Sequence, residues 1–184
     1  MLMQLILQQP QMLGPILQRT PTWVWGLLAA LLWLGASQWF DRTVGLRRVV
    51  LMPVAMTGFS AYGLASAFAN PAQAGTAFGA WLLTAAAAAA LALWFRPEAP
   101  AGARYDSTAR RFHLPGSAMP LVLIVGIFLV KYAVGVELAL QPALARDGTF
   151  ALQIAVLYGL FNGLFMARAL RLGRLAQRPA LQSA

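Results

Sequence analysis

Lys131 and Glu137 are the side chains best placed to do chemistry, because they interrupt an otherwise apolar run, GIFLVKYAVGVELAL, at 126–140. A lysine at the centre of a bilayer costs about 2.5–3.5 kcal/mol, so a chain that keeps one uses it to move ions or protons, or to join helices. Six residues separate the two charges, about 240° around a helix, so they do not form an i,i+4 ion pair. Each needs its own partner. Groups at matching depth in other apolar segments supply candidates for Lys131: Ser60 and Tyr62 in one, Tyr158 and Asn162 in another. Their hydroxyls and amide can accept hydrogen bonds from an ammonium. Glu137 lies farther out, level with Ser66 and Gln153. Lys131, Glu137, Ser60, Tyr62, Tyr158 and Asn162 therefore form the expected intramembrane polar site.

Other chemistries have little to draw on. The chain has no cysteine, which excludes disulfides, zinc–thiolate sites, iron–sulfur clusters and cysteine nucleophiles. His113 is the one histidine, too few for a histidine-rich metal or haem site. It follows Arg110 and Arg111, where it reads as a solvated loop residue. Asp41, Glu98 and Asp106 are single loop carboxylates among arginines. No nucleophile elbow, P-loop, HExxH or dinucleotide fingerprint occurs. Catalytic, cofactor-binding and metal-binding residues are accordingly expected to be none, and an enzyme is the reading least favoured.

The elements that must position these residues are set by composition. Of 184 residues, 60% are hydrophobic and 10% charged, against about 45–50% and about 25% in soluble domains. Five stretches are long enough to cross the roughly 30 Å hydrocarbon core: 22–40, 49–69, 77–95, 118–140 and 149–167. Barrel strands would alternate in polarity, and none does, so helices satisfy the backbone. The expected fold is all-α: a polytopic transmembrane bundle of five spanning helices over 21–172, with a short N-terminal interfacial segment over 1–20.

Eleven of the thirteen arginines fall after the first span, after the third, or in the tail. Five crossings put these on one face, with only Arg19 and Arg146 opposite. The positive-inside rule then predicts an outer N-terminus and a cytoplasmic C-terminus, with a basic loop at 96–117 and a basic tail at 173–184 inside. Trp23, Trp25, Trp39 and Trp94 sit near span ends, as interfacial belts require. The net charge of +9 is thereby spent on topology, and no basic stripe interleaved with aromatics suggests nucleic acid. Within the basic loop, RYDSTARRFHL allows a short hairpin with Tyr105 and Phe112 on its strands. About twenty residues cannot bury a core alone, so the expectation is a solvated loop against anionic headgroups.

One packing motif stands out. Ala155, Gly159, Gly163 and Ala167 recur every four residues, a small-residue stripe that lets helix backbones approach in lipid. Gly63 and Ala67 make a shorter stripe, and the alanine run at 85–90 offers a smooth surface to a neighbour.

PTWVWGLLAALLWLG, RTVGLRRVVLMPVAMTGFSAYG, YDSTARRFHLPGS, FLVKYAVG and LYGLFNGLF together resemble a family of small uncharacterised bacterial inner-membrane proteins, from Pro21 to Leu172. The resemblance implies a five-span inner-membrane protein of a Gram-negative bacterium, and no activity. The functional expectation is a structural or accessory membrane subunit acting through helix–helix contacts. The alternative is a small oligomeric transporter or channel with its polar site at Lys131. Expected partners are the bilayer, a second copy or another membrane protein, and anionic headgroups at the cytoplasmic face; no cofactor is implied.

Overall fold

In lipid a backbone without water must bond to itself, and long Ala/Leu-rich runs do so as helices. The computed structural model of the chain describes residues 13–68 and 71–177. Residues 1–12 of the expected interfacial segment and 178–184 of the tail lie outside the described residues. In chain order the elements are α1 (Leu13–Arg19), α2 (Thr22–Ala36), β1 (Arg42–Gly45), α3 (Leu46–Ala67) and α4 (Pro71–Phe95). Then come β2 (Arg104–Asp106), β3 (Arg111–Leu114), α5 (Met119–Leu140), a 3-10 turn (Pro142–Arg146) and α6 (Gly148–Gln177).

Among the described residues, four helices are long and apolar enough to cross a membrane: α3, α4 from Ala74, α5 and α6. They mark a membrane protein built as a helical bundle. The first expected span, 22–40, is shorter. Its helix has 15 residues, about 22 Å at 1.5 Å per residue, and ends at Ala36. The cause is tertiary. Ser37 Oγ donates to Leu34 O, and Gln38 O accepts from Ser117 N at 2.9 Å, which draws the chain off the helix axis towards the start of α5. Gly116 passes so close to the Trp39 carbonyl that a Cβ there would have no room. α2 then lies antiparallel along α5, with Gly35 against Leu121 at one end and Thr20 Oγ1 2.6 Å from Tyr132 Oη at the other.

α6 is the central helix, and its pairing with α4 is the most extensive in the molecule. Asp147 starts it: Oδ1 accepts from Thr149 N at 2.7 Å and Phe150 N at 3.2 Å, satisfying donors the first turn leaves open. The small-residue stripe faces α4. Ala155 and Ala167 are buried, a Cβ on Gly159 would lie 2.6 Å from Trp81 O, and one on Gly163 would collide with Ala85 O. The stripe is thus occupied within the chain, by the alanine-rich surface of α4. Leu64, Trp81, Val134 and Ile154 join the same four long helices in the main apolar core.

The opposite end is capped by a three-stranded antiparallel sheet in the order β1-β3-β2. Tyr105 pairs with Phe112 in the hairpin, and their rings lie 4.7 Å apart. Asp106 Oδ1 closes the turn by accepting from Thr108 N and Ala109 N, and Arg110 takes the left-handed backbone (φ 50°). The expectation of a solvated loop is corrected here. Phe112 is 0% exposed and Leu114 5%, covered by Leu172, Leu175 and Ala176 at the end of α6 and by Val44 and Val49. The twenty-residue loop does not bury a core alone. It borrows β1 from another loop and the last turns of α6, so the three arginine-rich segments meet at one end of the bundle.

Candidate functional site

α5 begins at Met119, whose N–H donates to Ser117 Oγ at 3.2 Å, with Pro120 in the first turn where its missing N–H costs little. Twelve residues on, about 18 Å along the axis, Lys131 reaches the space between α3 and α6. Its ammonium lies over the Phe59 ring at 4.5 Å and the Tyr158 ring at 4.6 Å from the centroids. Both are cation–π distances. Gly63 makes the room: a Cβ there would stand 2.9 Å from Lys131 Nζ.

Lys131, Ser60, Tyr158 and Asn162 line one cavity of about 30 Å³, with Met56, Phe59, Phe161 and Phe165 also in its lining. That volume takes a water molecule or two. Ser60 Oγ is buried with no protein partner among the described residues. Asn162 Nδ2 donates to Tyr158 O at 2.8 Å, along its own helix. Beside the ammonium the lining holds the Ser60 and Tyr158 hydroxyls and the Asn162 amide, and no carboxylate or imidazole.

Two of the expected residues stand apart. Tyr62 is 70% exposed: it follows Ser60 by two positions, about 200° around α3, so both cannot face Lys131. Glu137 is half-buried, six residues farther along α5, and does not line the cavity. Phe59 and Gly63 were not expected at the site. Their signal is the i, i+1, i+4 spacing with Ser60, which places all three on one side of α3.

A second, larger cavity of about 290 Å³ lies between α2, α3, α5 and α6 at the sheet end. Arg42, Arg48 and Arg168 line it, and Arg42 Nε is buried with no protein partner among the described residues. Burial first, then the positive charges of Arg168 and Arg48, push the Arg42 pKa below its ordinary value. Sequence reasoning spent these arginines on topology. They come from two segments far apart in the sequence, and only the return of α6 brings Arg168 to Arg42 and Arg48. His113 is exposed on the sheet, with Nδ1 3.3 Å from Thr43 Oγ1. Phe165 lines both cavities and stands between them.

A family model described as a family of unknown function (DUF6622) matches residues 1–182. No curated protein and no solved structure matches the chain.

Proposed function

The chain belongs to this family of unknown function, and from that premise we propose that it is a structural or accessory subunit of the bacterial inner membrane. Its Lys131 cluster is a clasp joining α3, α5 and α6. The observation that carries this reading is the size of the Lys131 cavity: about 30 Å³, walled by aromatic rings, is too small to pass a solute. Substituting Lys131→Met separates a clasp, which loses stability, from a transport site, which keeps it and loses activity.

A second reading, transport of protons or a small ion, is favoured by one feature. Phe165 lines both the Lys131 cavity and the wider arginine-lined one, where a barrier in a path would stand. Access of water-soluble reagents to Ser60 distinguishes the two readings.

In the proposed orientation the sheet end is cytoplasmic, because it gathers the arginines of three segments. Exposed Trp39, Phe40, Trp94 and Phe95 ring that end, and Trp23 and Trp25 the other, as membrane interfaces favour. α2 runs from the sheet end to Thr20 beside Tyr132, which in this orientation puts α1 on the outer side. A Ser107→Cys variant, exposed in the hairpin turn, is expected to react with an impermeant maleimide only after the inner membrane is opened. Labelling in intact spheroplasts would reverse the orientation.

A further inference from the structure

The arginine-lined cavity has a chemistry that the Lys131 clasp does not use. Three guanidiniums, Arg42, Arg48 and Arg168, share it, and its lining contains no carboxylate to neutralise them. The nearest acidic side chain in sequence, Asp41, is not in the lining, and its Oδ1 accepts from Gly116 N at 2.9 Å. Arg42 Nε is buried there as an unmatched donor, a costly arrangement for a cation unless an acceptor completes it. Guanidinium groups suit phosphate because their paired N–H donors match two of its oxygens.

The rest of the lining is of the opposite character. Leu34, Pro53, Ile124 and Phe165 extend the cavity away from the arginines into the apolar part of the bundle. Its depth in the bilayer is set by Trp39 and Phe40, 57% and 75% exposed at the end of α2 beside it, side chains that settle at headgroup level. A volume of about 290 Å³ is at the lower edge of small-molecule sites, which run about 300–1,000 Å³. It fits a headgroup and the start of a chain, with the remainder in the surrounding lipid.

We propose that this cavity binds the phosphate of an anionic phospholipid, held by Arg42, Arg48 and Arg168, with the root of an acyl chain against Leu34, Pro53 and Ile124. The bound lipid fastens α2, which is shorter than the four spanning helices, to α3 and α6. It also supplies the negative charge whose lack leaves the three arginines repelling one another. The site stands whichever reading of Lys131 holds.

The test uses the full chain purified in neutral detergent, with thermal unfolding followed as phosphatidylglycerol, phosphatidylcholine or inorganic phosphate is added. Phosphatidylglycerol is expected to raise the midpoint by about 5 °C, a typical linkage effect for a specific ligand. Phosphatidylcholine and millimolar inorganic phosphate should give less than half of that. Arg42→Gln combined with Arg168→Gln should abolish the gain, whereas Arg110→Gln with Arg111→Gln, exposed on the hairpin, should keep it. Because the double cavity variant removes partly buried groups, Arg48→Gln serves as a second probe at an exposed position, and should weaken the apparent affinity for phosphatidylglycerol at least about fivefold. Equal shifts with phosphatidylcholine, or loss of the effect in the hairpin variant, would overturn the assignment. A full shift with inorganic phosphate alone would make free phosphate the ligand and dismiss the lipid.

Discussion

Gly163→Ile is expected to leave little folded protein in detergent. The first added atom would collide with the Ala85 carbonyl and lie 2.7 Å from Ala88 Cβ. Neither can step aside, since one is backbone and the other a side chain with no rotamer to change. Separating α6 from α4 is then the only relief, and that opens the most extensive helix contact in the molecule. Overpacking usually costs about 1–3 kcal/mol, and a backbone obstacle puts this case above about 3 kcal/mol. Gly135→Ile is the control, because nothing stands within 4 Å of a Cβ at that position. Size-exclusion profiles and denaturant unfolding of the two variants check the claim. If Gly163→Ile matches wild type in both, the α4–α6 contact is wrongly described.

Lys131→Met carries the second large effect. Methionine keeps the length of the side chain but removes the charge that faces the Phe59 and Tyr158 rings. Each cation–π contact is worth about 1–2 kcal/mol where the cation is partly desolvated. Against this loss stands relief from burying a charge, which is why replacing buried ions with apolar groups is often neutral. The balance turns on the two ring contacts, because Ser60 Oγ already has no protein partner among the described residues with the ammonium in place. The expected outcome is a net loss of about 2 kcal/mol in denaturant unfolding. Unchanged or raised stability with a lost transport activity would replace the clasp with a transport site.

Much of this arrangement was legible because depth along a helix is simple arithmetic. Rise per residue placed Lys131 level with Ser60, Tyr158 and Asn162, and the structure gathers these four around one cavity. Direction around the helix was harder to read. Ser60 and Tyr62 were matched to Lys131 by depth alone, and their 200° separation on α3 sends Tyr62 outwards. The hairpin was visible in its aromatic spacing, with Tyr105 opposite Phe112. β1 was not visible, because RTVG is only four residues inside a loop whose arginines already had an explanation. The end of α2 depends on a long-range bond from Ser117 to Gln38, which local hydropathy cannot register. The arginine cavity is hidden for a similar reason: Arg42, Arg48 and Arg168 converge through tertiary contacts, whereas charge counting treats every arginine alike.

The central claim is that the Lys131 cluster is a closed clasp, and the reactivity of one thiol tests it most directly. The chain has no cysteine, so Ser60→Cys provides a unique and nearly isosteric probe on the cavity wall. In reconstituted vesicles, a small water-soluble thiol reagent added on both sides should leave it unmodified until the protein is denatured, while Ser107→Cys reacts at once. A cavity of about 30 Å³ opening only at bilayer depth offers the reagent no aqueous approach in this account. Rapid labelling of Ser60→Cys in the folded protein would show an aqueous route to Lys131 and contradict the account.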